Sequence, residues 1–422
     1  MQRTNRGSRL RAIKWRLGAV LLAAAITSGG LAGPTATAAV DADLKAEIVD
    51  ALRSAHEYGE RSTAPGRAAA VEPEDCRTAR HIHQYRYQNR FAGADRYETS
   101  VCASYWAWDE HDSPYRKAGA VVLARGDLYA DALAGGPLAG YVNGPLLLTT
   151  PQSLLPIVKT EIQRLLAPGG TVYLLGSAGS LSPSVEAELV AAGYTTKRLG
   201  GADRYETAIR IAQAMPTTDQ FFVTTGLDFP DGLAAGAFAT AYTLGVTQDD
   251  DPATTKPFAL LFTENDRMPA NTRDFITARR TEHGGMTVFT AGGAAHTAVT
   301  RAFGDAATPF VGVDRYDTAG IIAERLYTDT DGKLIGYGVG LASGQNFPDG
   351  LSATTLMMRY SQPLLLTPST TLDPVTRVFL RNHASDVRDP TSGRLDGVLA
   401  VFGSTGAVSE SVVDAAITAY TP

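Results

Sequence analysis

The stretch Leu199-Gly-Gly-Ala-Asp-Arg-Tyr-Glu-Thr-Ala208 decides how this chain is organised, because it occurs three times with small changes. The first copy reads Phe91-Ala-Gly-Ala-Asp-Arg-Tyr-Glu-Thr99, and the third reads Val311-Gly-Val-Asp-Arg-Tyr-Asp-Thr-Ala319. We refer to these segments as the Asp-Arg-Tyr stretches. Their aspartates are 108 and 111 residues apart, which is the length of a small domain and far longer than a solenoid repeat. The sequence therefore predicts one module repeated three times in tandem.

Each Asp-Arg-Tyr stretch is followed by the same landmarks in the same order. An apolar strand ends in glycine, and five residues later comes an aspartate: Asp131, Asp231 or Asp349. A second apolar strand follows a proline and reads Pro145-Leu-Leu-Leu-Thr149 or Pro363-Leu-Leu-Leu-Thr367, whereas the middle copy reads Pro257-Phe-Ala-Leu-Leu-Phe-Thr263. A third apolar strand again ends in glycine. This shared order predicts the same fold in every copy.

The patterns of these segments predict an α/β fold. The apolar runs are four to six residues long and are bounded by Gly, Pro and Thr, which is typical of buried parallel strands. Ala-rich amphipathic stretches such as residues 205–214 lie between them and are predicted helices. Strands that alternate with helices indicate a parallel sheet covered on both faces. We expect the aspartates five residues after the first strand to cap the helices that follow.

Residues 1–39 have the pattern of a secretory signal. Six basic residues and no acidic one precede an apolar run from Leu17 to Ile26, and small residues then lead to Ala39. The apolar run is shorter than the roughly 20 residues of a membrane span, which favours a cleaved signal over a membrane anchor. We therefore expect a secreted protein with no membrane span after signal cleavage.

The segment between the signal and the repeats, residues 40–85, predicts a helix over residues 41–60 followed by a linker rich in Pro, Gly and Ala. The chain has two cysteines, Cys76 in this segment and Cys102 in the first module. In an oxidising compartment they could form one disulfide that ties the segment to the module, and the alternative is two buried thiols.

The charge of the chain argues against a nucleic-acid partner. Six of the 38 basic residues lie in the signal and none of the 44 acidic residues does, so the remainder has 32 basic against 44 acidic residues and a net charge of −12. Binding to phosphate backbones needs a basic face. The sequence therefore predicts no nucleic-acid partner.

The Gly-Ala-Asp-Arg-Tyr-Glu-Thr, Phe-Pro-Asp-Gly-Leu and Pro-Leu-Leu-Leu blocks resemble the cell wall binding type 2 repeats of Gram-positive bacteria, over roughly residues 86–422. The resemblance divides this region into repeats at 86–197, 198–307 and 308–422. It implies three Rossmann-like modules around a pseudo-threefold axis, and non-covalent binding to an anionic cell-wall polysaccharide or teichoic-type polymer. It thereby implies a location at the cell wall or cell surface.

The same resemblance implies polymer-binding residues. A Pro-Ile-Leu-Leu motif has been linked to polymer binding in the family, and two of the three copies match it with Leu for Ile. The matching residues are Pro145, Leu146, Leu147, Leu148, Pro363, Leu364, Leu365 and Leu366. The middle copy departs from the motif, so we expect the first and third modules to be the better binding candidates. From the residues alone, the leucine-rich strands are most simply core.

One arginine in each Asp-Arg-Tyr stretch is a second binding candidate, because arginine suits bidentate contacts with carboxylate or phosphate. These arginines are Arg96, Arg204 and Arg315. Threefold packing would place them at equivalent sites, and several weak sites on one polymer gain by effective concentration. The alternative is a structural ion pair with an aspartate such as Asp131, Asp231 or Asp349. The preceding aspartates, Asp95, Asp203 and Asp314, are predicted to be structural.

An enzymatic function is the second class that we consider. The resemblance allows a peptidoglycan hydrolase (an amidase) or an amidase modifier, because such repeats accompany these proteins. None of the seven histidines recurs at an equivalent repeat position, and neither G-x-S-x-G nor H-E-x-x-H occurs. The sequence therefore predicts a binding protein without catalytic residues, cofactor or metal site.

Overall fold

The fold is described from a computed structural model of the chain. The described residues are 40–61, 76–83, 86–108, 117–247, 256–304, 306–332, 334–335, 338–384 and 398–421. The predicted signal, residues 1–39, and residues 62–75 of the predicted linker lie outside them. Among the described helices, none is long and apolar enough to cross a membrane.

Strands and helices alternate along most of the chain. The strands are β1 (Arg77–His83), β2 (Arg86–Phe91), β3 (Ala120–Arg125), β4 (Leu146–Thr149), β5 (Thr171–Leu175), β6 (Thr195–Leu199), β7 (Gln220–Thr225), β8 (Phe258–Thr263), β9 (Thr287–Ala291), β10 (Thr308–Phe310), β11 (Gly338–Ser343), β12 (Leu364–Thr367) and β13 (Val398–Phe402). The helices are α1 (Ala42–Arg61), α2 (Arg96–Ala107), α3 (Ala130–Tyr141), α4 (Pro156–Leu165), α5 (Pro183–Ala191), α6 (Arg204–Gln213), α7 (Pro230–Thr247), α8 (Ala270–His283), α9 (Gly293–Phe303), α10 (Arg315–Leu326), α11 (Pro348–Tyr360), α12 (Pro374–Asn382) and α13 (Glu410–Tyr420).

The strands form three parallel sheets, one for each module. The strand orders are β4-β3-β5-β6, β8-β7-β9-β10 and β12-β11-β13-β2-β1. In each sheet the first strand of the module lies between the second and the third. All six residues of β8 and of β11 are buried, as expected for parallel strands that are covered on both faces. The predicted α/β class with three parallel-sheet modules is confirmed.

In each sheet, the strand that pairs with the third strand of the module leads directly into the Asp-Arg-Tyr stretch of the next copy. The sequence did not predict this connection. β6 pairs with β5, and β10 pairs with β9. The third sheet receives β2, which comes from the N-terminal side of the chain and pairs in parallel with β13. The three modules are therefore closed into a ring. Residues 86–91, predicted as the start of the first repeat, belong to the sheet of the third repeat.

The N-terminal segment contains more regular structure than its sequence predicts. The helix expected over residues 41–60 is α1. The predicted linker, however, contains β1, which pairs antiparallel with β2 and adds a fifth strand to the third sheet. The sequence of β1, Arg-Thr-Ala-Arg-His-Ile-His, is too polar to be recognised as a buried strand. Its Arg80 is satisfied at the surface by Glu410 and Asp414, at 2.9 and 2.7 Å.

The disulfide Cys76–Cys102 joins the residue before β1 to α2. Helix α2 covers the first sheet, where Ser100 Oγ accepts a hydrogen bond of 3.1 Å from the backbone N–H of Leu148 in β4. The disulfide therefore connects the strands that complete the third sheet with a helix of the first module. It spans the point at which the ring is closed.

Three central helices, α3, α7 and α11, pack against one another around the pseudo-threefold axis. Small residues allow this close approach: a Cβ atom at Gly140 would lie 2.4 Å from the carbonyl oxygen of Thr240. At the N-termini of these helices, three aromatic rings form a triangle with centroids 5.7 to 5.8 Å apart. They belong to Tyr129, Phe229 and Phe347. Two of these contacts are edge-to-face and one is tilted, and such contacts favour a defined geometry around the axis.

Helix α1 packs against the C-terminal ends of α7 and α11. Tyr242 Oη in α7 donates to Glu47 Oε1 at 2.5 Å, and Ser361 Oγ donates to the carbonyl oxygen of Leu52 at 2.5 Å. The helices touch so closely that a Cβ atom at Gly245 would overlap the Ala51 carbonyl oxygen, at 1.8 Å. The N-terminal helix is thus part of the core at the end of the axis opposite the aromatic triangle.

The expectation that Asp131, Asp231 and Asp349 cap helices is wrong. Each is the second residue of a central helix, and the N-cap residues of α3 and α11 are aromatic and make no side-chain cap bond. Their carboxylates instead face the glycines that end the third strands. A Cβ atom there would lie 2.0 to 2.4 Å from a carboxylate oxygen, and φ is 86 to 93°. These glycines are Gly176, Gly292 and Gly403. Both the space and the backbone conformation require glycine.

Burial makes these three aspartates hard to ionise. Loss of hydration raises the pKa of Asp131 and of Asp349 above the ordinary carboxyl value, and it raises the pKa of Asp231 to about 6. The nearby charge of Asp228 contributes in the same direction for Asp231, whereas Thr318 and Arg315 oppose the shift.

We expect the double variant Cys76→Ala/Cys102→Ala to lose about 3 kcal/mol of unfolding free energy, because the disulfide closes a loop with a sequence separation of 26 residues. Urea unfolding with and without reductant measures this loss. Reductant should destabilise the unaltered protein to a similar extent and should leave the double variant unchanged. Equal stability of the two proteins under oxidising conditions would contradict the prediction.

The Asp231→Asn variant should be more stable than the unaltered protein at neutral pH. A carboxyl group with a pKa of about 6 in the folded protein, against 3.8 ordinarily, opposes folding increasingly as pH rises from about 4 through 6. The advantage of Asn should therefore reach at most about 3 kcal/mol above pH 7 and vanish near pH 4, as measured by urea unfolding at both pH values.

Asp127→Asn is the control of opposite sign, because the hydrogen bond from Arg125 lowers the pKa of Asp127. That variant should be less stable than the unaltered protein at both pH 4 and pH 7, and the difference should shrink only as pH falls below about 3.8. An advantage of Asp231→Asn that is independent of pH would show that ionisation is not its cause.

Candidate functional site

The candidate site lies at the carboxyl ends of the parallel strands. In the first module, β3 has β4 on one side and β5 on the other, so the chain changes direction between β3 and β5. Ligands of open α/β sheets bind in the crevice outside such a switch point. The turn after β3 and the turn after β5 form the two sides of this crevice, and the Asp-Arg-Tyr stretch that follows β6 lies over it. The other two modules repeat the arrangement.

The aspartate of each Asp-Arg-Tyr stretch is a helix N-cap. Asp95 Oδ1 accepts hydrogen bonds from the backbone N–H groups of Tyr97 and Glu98, both at 2.9 Å. Asp203 accepts one from Glu206 N–H at 2.8 Å, and Asp314 accepts two at 2.9 Å. These bonds satisfy N–H groups at the helix start that have no partner within the helix. Each of these aspartates therefore stabilises the start of a helix.

The acid and threonine at the end of the motif complete the turn. Glu98 Oε2 accepts from the backbone N–H of Ala94 at 2.7 Å, and Thr99 Oγ1 accepts from Gly93 N–H at 3.0 Å. The third copy has Asp317 in place of Glu, and its carboxylate still accepts from Val313 N–H at 2.9 Å. The substitution in the third copy therefore preserves the turn.

Each repeated arginine bridges two modules. Arg96 Nη1 donates to the carbonyl oxygen of Gly126, which follows β3, and Arg315 Nη1 donates to that of Gly344, both at 2.8 Å. Arg204 donates likewise to Gly226. Each guanidinium also lies over an aromatic ring of the axial triangle that belongs to the preceding module, 5.6 to 5.9 Å from its centroid. The pairs are Arg96 with Phe347, Arg204 with Tyr129 and Arg315 with Phe229.

The repeated arginines interact with the buried aspartates over a longer distance than in an ion pair. Among the described residues, no salt bridge joins Arg96, Arg204 or Arg315 to the buried aspartates of the central helices. The charges are close enough to interact, since each arginine opposes the raised pKa of one aspartate across a module boundary. We name the three boundaries after these aspartates. Arg96 lies at the Asp349 junction, Arg204 at the Asp131 junction and Arg315 at the Asp231 junction.

The Asp349 junction contains a cavity of about 280 Å³. Its lining combines Arg96 and Asp349 with the polar side chains of Asn346, Ser369 and Ser404. The N-termini of two helices, α2 and α11, begin at this cavity, and their dipoles add positive potential. The cavity thus offers one guanidinium, one buried carboxylate and several neutral hydrogen-bonding groups.

The Asp131 junction contains an equivalent cavity of about 160 Å³, lined by residues that include Arg204, Asp131, Ser177 and Ser180. Ser180 Oγ donates to Asp131 Oδ2 at 3.0 Å. Here α6 and α3 supply the two helix N-termini. The same combination of residues therefore recurs at a second boundary, around a smaller cavity.

The Asp231 junction differs in the environment of its arginine. Arg315 Nη2 lies 3.3 Å from Asp228 Oδ2. The residues equivalent to Asp228 in the other copies are Leu128 and Asn346, which carry no charge. Within the described part of the chain, Nη2 of Arg96 and Nη2 of Arg204 have no hydrogen-bond partner. Asp228 was not predicted from the sequence, although its position in the aligned turns distinguishes the middle copy.

The crevice does not suit a nucleotide cofactor. In dinucleotide-binding folds a phosphate occupies the N-terminus of the helix after the first strand. Here a buried carboxylate occupies that place in every module, and it would repel a phosphate. The described residues also contain no group of three or more His, Cys, Asp or Glu side chains suited to hold a metal ion.

The Pro-Leu-Leu-Leu segments are part of the core. The six leucines expose at most 2% of their surface, and Pro145 and Pro363 are also buried. The segments form β4 and β12, which pair with the first strands of their modules. Buried side chains cannot touch a polymer, so we revise the expectation of direct contact and assign these eight residues to packing. An apolar run of this kind indicates a buried strand from sequence alone.

The axial aromatic triangle was not predicted as a functional element. Its signal is present in the sequence, because an aromatic residue precedes the buried aspartate by two positions in every copy. Without the structure, nothing indicates that three residues about a hundred positions apart meet on one axis.

Known proteins support the same reading of the repeats. The family model described as cell wall binding domain 2 matches residues 90–186, 198–296 and 310–413. The amidase enhancer of Bacillus subtilis (strain 168) is 33% identical over 181 residues, which is 43% of this chain and 22% of the relative. The N-acetylmuramoyl-L-alanine amidase LytC of the same strain is 26% identical over 291 residues, which is 69% of this chain and 52% of the relative. The chain thus spans about half or less of these relatives.

Solved structures share the fold. Cwp6 from Clostridium difficile has a TM-score of 0.61 at 21% identity, and Cwp8 from the same organism has a TM-score of 0.62 at 20% identity. Each match covers 79% of this chain, and it covers 48% of Cwp6 and 51% of Cwp8. The three segments that match the family model coincide with the three Asp-Arg-Tyr repeats and cover more than half of the sequence. The chain therefore belongs to the cell wall binding domain 2 family.

Proposed function

We propose that the protein binds non-covalently to an anionic secondary polymer of the cell wall, and that the polymer contacts the module junctions. The observation that carries the proposal is the pair of cavities at the Asp349 and Asp131 junctions. Each has an arginine with one terminal nitrogen bonded to the fold and the other without a partner among the described residues. A guanidinium in this state can still donate to a carboxylate or phosphate group.

The rest of each cavity favours an acidic sugar over a bare polyanion. Asp349 and Asp131 would repel closely spaced phosphates, whereas a carboxylate accepts hydrogen bonds from sugar hydroxyl groups. Serine hydroxyls and the Asn346 amide add neutral donors and acceptors at the Asp349 junction. The ligand that fits is a sugar unit with a single acidic substituent for the arginine and hydroxyls for the aspartate.

Repetition of the site suits an extended ligand. A polymer presents the same unit many times, so a second junction on the same protein binds at a high effective concentration. Individually weak junctions can then hold the protein at the wall. The predicted signal at residues 1–39 supports the same proposal, because a protein bound to the wall has to be exported to the cell surface.

A wall-turnover function is the second candidate, either as a peptidoglycan hydrolase (an amidase) or as an amidase modifier. It is favoured by the similarity to the amidase enhancer and to LytC. Pure protein should release muropeptides from walls if it is a hydrolase, and it should accelerate their release by an added amidase if it is a modifier. We expect neither effect, because we assign the matched repeats to binding.

We expect the Arg96→Gln/Arg204→Gln variant to bind purified cell walls at least tenfold more weakly, since charged hydrogen bonds contribute about 1.5 to 3 kcal/mol each. Glutamine removes the charge and keeps a polar side chain at each junction. Co-sedimentation with walls measures the affinity, and a thermal unfolding curve verifies folding.

The matched control is Lys159→Gln/Lys197→Gln, which removes the same charge from residues outside the junctions and should leave the affinity within twofold. Walls from which the polysaccharide has been removed should not bind the unaltered protein. Purified wall polysaccharide should compete for the protein, and inorganic polyphosphate should compete poorly. Undiminished binding to stripped walls would refute the polymer proposal.

A further inference from the structure

We propose that Asp228 closes the Asp231 junction to the polymer, so that the protein has two working sites and not three. This inference rests on the proposed function and concerns how binding is distributed over the junctions. It assigns a specificity-determining role to a residue of the middle copy alone.

The position of Asp228 is fixed by two interactions. Its Oδ1 accepts a hydrogen bond of 2.9 Å from the backbone N–H of Phe229, within the turn between β7 and α7. Its Oδ2 is thereby held 3.3 Å from Arg315 Nη2. Because Nη1 of Arg315 donates to Gly344, both terminal nitrogens of this guanidinium are engaged. Asp228 occupies the place that an acidic group of the ligand would take.

The other junctions show what Asp228 changes. Arg96 and Arg204 make the same bond to a strand-ending glycine and lie over the same aromatic triangle. Their neighbouring turns carry Asn346 and Leu128 in place of Asp228. At this position of the turn, the Asp231 junction therefore has a carboxylate where the other two junctions have an uncharged side chain.

Charge at the Asp231 junction adds a second obstacle. Asp228 and Asp314 both raise the pKa of Asp231, and Arg315 is the cation that opposes them. An incoming acidic group would meet three carboxylates around one guanidinium. The ion pair itself is half exposed, with 36% of the Arg315 side chain and 50% of the Asp228 side chain accessible, so solvent screening leaves it little effect on stability. Its effect is competition with the ligand, and removing it should not disturb the fold.

The surface beside this junction is also less polar. Val313 is 93% exposed and Leu227 is 56% exposed. Alanine takes the place of Val313 in the other two stretches, and Asp127 and Gln345 take the place of Leu227. Sugar hydroxyls would find fewer hydrogen-bonding partners here. We therefore still expect the first and third modules to bind better, but the reason is Asp228 in the middle copy and not the leucine strands.

The test is Asp228→Asn, which introduces the residue that the third copy already has. The probe is wall polysaccharide cut to fragments short enough to occupy a single junction, titrated calorimetrically against the full chain. The unaltered protein should bind two fragments, and the variant should bind three. With intact walls, the third contact should raise the apparent affinity about tenfold through effective concentration.

Glu282→Gln is the matched control, because Glu282 is an exposed acid paired with Arg279 at 3.0 Å near the end of α8. It changes the net charge equally and should leave two fragments bound. Adding Arg315→Gln to Asp228→Asn should return the number to two.

Three fragments on the unaltered protein, or two on a folded Asp228→Asn variant with unchanged affinity for walls, would overturn the inference while leaving the proposed function intact. Failure of the unaltered protein to bind either fragments or walls would refute the proposed function and this inference with it.

Discussion

The bond from each repeated arginine to the carbonyl oxygen of a strand-ending glycine is the interaction on which the arrangement of the modules depends. The strand before the arginine belongs to one sheet, and the helix that the arginine begins covers the next. Arg96 reaches Gly126 in one module while it lies over Phe347 of another. A carbonyl group at the end of a strand needs a donor, and here the donor comes from a residue committed to two modules. Repeated three times, this contact sets the angle between neighbouring sheets.

The same geometry explains why structure and binding need not compete for one residue. A guanidinium has five N–H groups in a rigid fork, so Arg96 and Arg204 can hold the fold with one terminal nitrogen and present the other to a ligand. The buried aspartates complement this arrangement. They take the phosphate position of a nucleotide-binding sheet and place a carboxylate beside the repeated arginine, where it can accept hydrogen bonds from hydroxyl groups. A lysine has one nitrogen atom and could not serve both purposes in this way.

The features that could be predicted from sequence are those encoded within one copy. The apolar runs predicted the strands, the Ala-rich amphipathic stretches predicted helices between them, and repetition predicted three modules. The features that were missed depend on distant partners. Strand β2 precedes the first motif but joins β13, more than 300 residues away, because the ring closes there. Asp228 and Arg315 are 87 residues apart, and no local pattern marks them as a pair.

The leucine strands were overinterpreted as binding residues through the family resemblance, although their apolar character already indicated burial.

Ring closure by β2 also constrains how the number of modules can change. A solenoid grows or shrinks by one repeat because each unit contacts only its two neighbours. Here every sheet is completed by the segment that leads into the following copy, and the last sheet is completed from the beginning of the first. Loss of one copy would leave two modules whose mutual angle and central helices suit a ring of three. Gain of one copy would separate β2 from β13. A change of one copy would therefore disturb either the pairing of β2 with β13 or the packing of the three central helices.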